Sequence, residues 1–137
     1  MVDWTAPVLR PPPSGPKESA MLPALPSLDG LEFAPVSRPE QGEVDPGTRF
    51  AYHEDDGLVW ADYRGGEVVH GHLVGTRTGD TVDFRYVQLN RAGETNSGHC
   101  TSVLSRLPDG RLRLDETWRW ESRPGAGTSA VEEVLPH

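Results

Sequence analysis

From residue 31 onward, apolar side chains recur at every second position in short runs, and turn-forming residues interrupt those runs at regular intervals. The clearest run is Arg111–Trp120, where Leu112, Leu114, Trp118 and Trp120 share one phase and Arg111, Arg113, Asp115, Thr117 and Arg119 share the other. A period of two is that of a strand with one buried face. The interruptions read EDDG (54–57), RGGE (64–67), RTGD (77–80), RAGE (91–94), LPDG (107–110) and RPGAG (123–127), sequences suited to tight reversals between antiparallel neighbours. They predict strands over roughly 31–37, 47–54, 57–64, 67–76, 80–90, 94–105, 111–122 and 126–135. No window repeats its apolar residues with the three-and-four spacing of a helix.

Eight sequential strands joined by tight turns make a meander, and a meander of that size removes its open edges by closing on itself. The expected fold is therefore all-β, an eight-stranded antiparallel up-and-down barrel of the avidin or lipocalin type, with a β-sandwich as the alternative. Residues 1–30 read differently. The stretch VLRPPPSGPKESAMLPALPSLDG is dominated by proline, serine and small residues, and is expected to form a flexible leader ahead of a barrel domain at 31–137. A PxxP ligand within it, or a natural start at Met21, are further readings of the same stretch.

Phase decides which side chains fill the barrel. The uncharged sets are placed inward: Val59, Ala61 and Tyr63; Val82, Phe84, Tyr86, Gln88 and Asn90; Asn96, Gly98, Cys100 and Ser102. In 67–76 the set Val69, Gly71, Leu73 and Gly75 is read as inner, because small residues leave room for a ligand or for aromatics from across the barrel. The inner phase of 111–122 then carries one anomaly, a carboxylate at Glu116 between Leu114 and Trp118. An interior holding Glu116 beside Tyr63, Tyr86, Gln88 and Asn90 is too polar for a simple packing core, and suits a pocket with apolar walls and a few convergent polar groups.

Composition narrows the partners. The 137-residue chain is one domain at most, and its net charge of -8 argues against nucleic acid or an anionic membrane. No run of about 18 apolar residues spans a bilayer, and the N-terminus has no apolar signal region. A single cysteine, Cys100, forbids an internal disulfide and suits a reducing cytoplasm.

Glu116 is the sharpest chemical candidate, since burial among Leu and Trp raises a carboxyl pKa towards the range of a general acid or base. Tyr86 is the second catalytic candidate. Tyr63, Phe84, Gln88, Asn90, Cys100, Trp118 and Trp120 are expected to contact a ligand. His70 and His72 form an H-x-H pair, but the assigned phases put them outside, opposite Glu116, so no metal site is expected. His99 and Cys100 are adjacent on a strand and face opposite ways, which leaves Cys100 a buried thiol rather than a nucleophile. No cofactor is required.

The segments YRGGEVVHGHLVG (63–75), VDFRYVQLN (82–90), SGHC (97–100), DGRLRLDETWRW (109–120) and GTSAVEE (127–133) resemble a family of small single-domain bacterial proteins labelled N-acetylglutamate synthase-like. The resemblance covers about Phe50 to Glu133 and places Arg85, Tyr86, Gln88, Asn90, Glu116 and Trp118 in the family's signature segments. Its label implies acetyl transfer, yet this chain has neither the glycine-rich phosphate loop nor the helices that usually hold acetyl-CoA. The expected function is a barrel enclosing a small, largely apolar, natural-product-like molecule. In one version it is a cofactor-independent isomerase or cyclase using Glu116. The alternative is a non-enzymatic interaction barrel with a packed interior, where Trp60 or the leader meets a protein. A homodimer through an outer face is compatible with either.

Overall fold

A computed structural model describes residues 25–136. The leader's PxxP segment, Met21 and Trp4 lie outside the described residues. The chain forms β1 (Glu32–Pro35), β2 (Arg49–Asp55), β3 (Leu58–Gly65), β4 (Val68–Thr78), β5 (Thr81–Asn90), β6 (Thr95–Arg106), β7 (Leu112–Trp120) and β8 (Ala126–Glu133). Each strand pairs antiparallel with the next, and β1 pairs with β8, so the sheet closes into an eight-stranded up-and-down barrel. The sandwich alternative is thereby excluded. A two-residue reversal joins β2 to β3 through Asp56 and Gly57, both at positive φ (53° and 80°), the left-handed pair of a type I′ hairpin.

The period-two readings of β3, β5, β6 and β7 match the observed inner faces, with Val59, Ala61, Val82, Phe84, Gln88, Cys100, Ser102, Leu114 and Trp118 all buried. One inner assignment on β4 is corrected. Val69 is 50% exposed and Val68 takes the inner position at 2%. The pairing with β5 advances from Val68↔Asn90 to His70↔Leu89, so Val69 is an extra residue, a β-bulge that shifts the phase for everything before it. Beyond the bulge Gly71 and Leu73 are buried as expected, and His70 faces outward.

Four inner aromatics lie across from glycines on the neighbouring strand: Tyr63↔Gly71, Phe84↔Gly75, Tyr86↔Gly98 and Trp118↔Gly127. A Cβ at Gly71 would meet the Tyr63 ring within 2.3 Å, and one at Gly127 would meet Trp118 within 2.8 Å. The glycines let these rings lie flat against the wall instead of crossing the lumen.

The two halves of the barrel are filled differently. At the end where β1, β3, β5 and β7 begin, Phe33, Val59, Val82, Leu104, Leu112 and Leu114 are all at most 2% exposed and form a closed apolar floor. Residues 25–30, which the sequence assigns to the leader, pack beneath this floor. Leu28 is fully buried, and its N–H donates to Glu54 Oε1 at 2.9 Å. Arg77 gathers the same segment: Nη1 donates to Pro26 O (2.7 Å) and Glu54 Oε1 (3.0 Å), Nη2 to Leu25 O (2.9 Å) and Nε to Gly79 O (2.8 Å). The ion pair is nearly enclosed, with side-chain exposures of 8% and 14%.

Removing one partner of an enclosed pair leaves the other charge uncompensated. Arg77→Ala is therefore expected to destabilise the fold by about 3–5 kcal/mol in urea unfolding, more than Arg113→Ala, because the Arg113 side chain is itself 32% exposed and pairs with Asp115 and Glu132 at 55% and 23%.

Candidate functional site

At the opposite end, where β2, β4, β6 and β8 begin, the lumen is not filled. A cavity of about 60 Å³ of space open to the centres of water-sized spheres lies between the apolar floor and the barrel mouth. That is enough for several waters or a small organic group. Phe84, Trp118, Trp120 and Tyr63 supply most of its aromatic wall, Tyr86, Gln88 and Cys100 add polar atoms, and Glu116 lies one inward step above Leu114 of the floor.

Glu116 sits mid-strand on β7, with Ser102 of β6 and Ser129 of β8 as its two cross-strand partners. Ser129 Oγ donates to Glu116 Oε1 at 3.1 Å, and Ser102 provides a second side-chain hydrogen bond. The residue is part-buried and lines the cavity. Burial pushes its pKa up from 4.5 to about 7. The two serine hydrogen bonds pull the other way, and nearby Asp115 adds a small upward push. Arg85, the cation of suitable type on β5, points outward to Glu121 at 3.2 Å, and Glu116 has no ion-pair partner among the described residues.

The remaining sequence candidates fall into two groups. Tyr63, 3% exposed, stacks on Phe50 at 4.5 Å and donates its hydroxyl to Gln88 Oε1 at 2.7 Å. Trp118 and Trp120 meet edge to face at 5.8 Å, and Trp120 holds Tyr86 in the same way at 5.5 Å. Tyr86 is only part-buried; its hydroxyl donates to Arg119 O at 3.3 Å, and burial pushes its phenol pKa up. Cys100 is buried 3.6 Å from Ser102 Oγ, and desolvation, then the charge of Glu116, pushes its thiol up as well, so it stays protonated at neutral pH. Asn90 is buried but belongs to the rim rather than to the cavity wall.

His53, His70, His72 and His99 lie on the outer face. His72 pairs with Asp62 at 2.7 Å and His99 with Asp83 at 2.9 Å, each holding its acid below the usual carboxylate range. Among the described residues no group of three or more His, Cys, Asp or Glu side chains is placed to hold a metal ion.

Two participants escape the sequence reading. The first is the β1–β2 connection, which folds over the mouth and lines the cavity with Pro39, Gly42, Glu43 and Val44. Gln41 O accepts from Trp120 Nε1 at 3.0 Å, while Glu43 accepts from Gln88 Nε2 at 2.9 Å and Asn90 Nδ2 at 2.6 Å. An irregular connection offers no periodicity from which such contacts could be read. The second is Tyr52, 1% exposed, whose hydroxyl has no hydrogen-bond partner among the described residues. Burial and then Glu116 push its phenol pKa up, which places it near the acid. Alternation along Arg49–Asp55 with Phe50 would have located it.

Two outcomes follow from this geometry. A buried hydroxyl without a partner contributes nothing that phenyl does not, so Tyr52→Phe is expected to leave stability unchanged or raise it by about 1 kcal/mol in urea unfolding. For Glu116, the folded protein keeps the proton up to about pH 7, whereas the unfolded chain releases it near 4.5, so folding takes up a proton in that window. The stability linked to this group is fully present below pH 4.5 and is lost as pH rises to about 7. Relative to Glu116→Gln, which has no such group, the wild type is expected to lose about 2–3 kcal/mol across that range when unfolding is measured at a series of pH values.

Comparison with known proteins agrees with this architecture at the level of the family. No curated protein sequence matches the chain. No solved structure matches it either. The family model described as avidin-like protein matches residues 26–134, which spans the floor segment and all eight strands, and the chain accordingly belongs to the avidin-like protein family.

Proposed function

We propose that this barrel binds a small, largely apolar organic molecule in its upper cavity, with Glu116 meeting the molecule at the floor. The observation that carries this reading is the pairing of a void with a desolvated carboxyl that has no counter-ion among the described residues. Packing alone would favour an apolar residue at that position, since a buried carboxyl costs stability whenever it ionises. A ligand that donates to or accepts from the carboxyl gives it a use. Phe84, Trp118 and Trp120 would hold the apolar body of the ligand, and Gln88 and Tyr86 would orient its polar groups. Membership of the avidin-like family supports small-molecule binding in general terms.

A finer version adds chemistry. A carboxyl with a pKa of about 7 is divided between its acid and base forms at neutral pH, which suits proton transfer to and from one substrate. In an aromatic cavity that folds a flexible substrate, such a group could run an isomerisation or cyclisation without a cofactor. Tyr86, whose one hydroxyl proton goes to Arg119 O and whose phenol pKa is raised, would accept a hydrogen bond from the substrate there and not act as the base.

One observation favours the interaction-module reading. Leu58, Trp60, Val74 and Val87 are 36–56% exposed on the outer face of β3, β4 and β5, with Trp60 directly paired to Val74. Tryptophan fluorescence separates the two readings, because Trp118 and Trp120 border the cavity. Titration from about pH 4 to 9 is expected to give a wild-type transition near 7 that Glu116→Gln lacks. Small hydrophobic alcohols, ketones and acids are expected to quench both proteins saturably. Absence of quenching across the panel would turn the search towards a protein partner.

A further inference from the structure

The mouth of the cavity holds a second polar cluster, of which the proposed binding mode uses only Gln88. Gln88 and Asn90 of β5 and Asn96 of β6 are 3%, 6% and 7% exposed, and Gln88 and Asn96 are direct cross-strand partners. The carbonyl oxygen of each is engaged from behind. Gln88 Oε1 accepts from Tyr63, Asn90 Oδ1 accepts from the N–H groups of Ala92 and Glu94, and Asn96 Oδ1 accepts from Ser122 Oγ at 3.4 Å. With the carbonyls so held, the three NH₂ groups turn to a common point. Each is carried by a strand, so the donor set is in place before the loop arrives.

One carboxylate sits at that point. Glu43 Oε1 accepts from Gln88 at 2.9 Å, and Oε2 accepts from Asn90 at 2.6 Å and from Asn96 at 3.4 Å. Asn90 Nδ2 also donates to Glu94 Oε1 at 3.0 Å. Glu43 belongs to an irregular loop, not to the wall, and both it and the amide Gln88 line the cavity.

We propose that Gln88, Asn90 and Asn96 form a carboxylate-binding site at the mouth, and that Glu43 occupies it as an internal stand-in for the carboxylate of the ligand. The proposal rests on the small-molecule reading and narrows the ligand to an aliphatic or aromatic monocarboxylic acid. Its carboxylate takes the amides, its apolar body lies along Trp118 and Trp120, and its far end reaches towards Glu116. Recognition is by neutral donors, with no cation among the three, so the incoming acid exchanges for Glu43 instead of adding a charge to an ion pair. Displaced Glu43 swings to solvent, and Gln41 keeps the loop on Trp120 and Ala126.

The test is chemical rescue. Glu43→Ala leaves the buried amides of Gln88 and Asn96 without this acceptor and Asn90 with Glu94 alone, and is expected to lower the melting temperature, whereas Glu40→Ala on the same loop is not. Sodium acetate, compared with sodium chloride at equal ionic strength, is expected to restore at least half of the loss in Glu43→Ala and to leave the wild type unmoved. Equal acetate effects on both proteins, or none, would overturn the proposal. Quenching by hexanoate and by hexan-1-ol supplies the second readout. Hexanoate is expected to bind Glu43→Ala about tenfold more tightly than wild type, with hexan-1-ol changing less than about threefold. If Glu43→Ala does not fold, Gln88→Met is expected to weaken hexanoate selectively, and equal loss of both ligands would sink the idea. Saturable hexan-1-ol binding without any hexanoate gain would refute the amide site alone. Acetate rescue without quenching by either ligand would refute the cavity reading and leave the amide site standing.

Discussion

Closure of the sheet is the constraint on which the rest of this molecule depends. It runs through a narrow seam: β1 has four residues, and only Phe33, Ala34 and Pro35 pair with Glu133, Glu132 and Val131 of β8. Once the seam is made, no strand is left with an open edge, and the interior has a fixed width. Every inward side chain must then share one lumen. The lower half meets that demand with aliphatics and Phe33. The upper half places four rings over four glycines, which thins the walls and leaves the centre open. The cavity is thus a product of side-chain pairing across strands and needs no departure from the regular barrel.

The polar groups follow from the same geometry. A strand offers an inward position every second residue, so an inner acid on β7 falls between inner residues of β6 and β8, and here both are serines. The serines satisfy part of the carboxyl and pull its pKa down, but burial outweighs them and holds it near 7 in place of the usual carboxylate range. At the mouth, the alternation of β5 sets Gln88 and Asn90 two residues apart on one face, and Asn96 arrives from β6 across the hairpin. The lumen therefore runs from an aliphatic floor, through a lone acid and an aromatic belt, to a ring of amides.

Most of the barrel was legible because a half-buried strand writes its geometry into a period of two. The inner phases of β3, β5, β6 and β7 came from that period together with the face that lacked charge or held Cys100, and so did the anomaly at Glu116. Val69 was misplaced because a bulge adds one residue and inverts the phase, and nothing in EVVHGHLVG marks it locally. Pro26 and Leu28 looked like leader because proline-rich composition hides the buried Leu28 and the grip of Arg77. Glu43 was out of reach for a different reason: its three bonds span 45 to 53 residues of sequence, and its loop has no repeating pattern to register against them.

The tie between Arg77 and residues Leu25 and Pro26 also fixes a direction. The chain enters the barrel beneath the closed floor, and the cavity opens at the other end, about 20 Å away at ~3.3 Å per residue along a tilted strand. A surface, bead or domain attached at Leu25 itself would hold the molecule like a cup by its base. The rim would face away from the support, and every immobilised copy would present its opening to the surrounding solution.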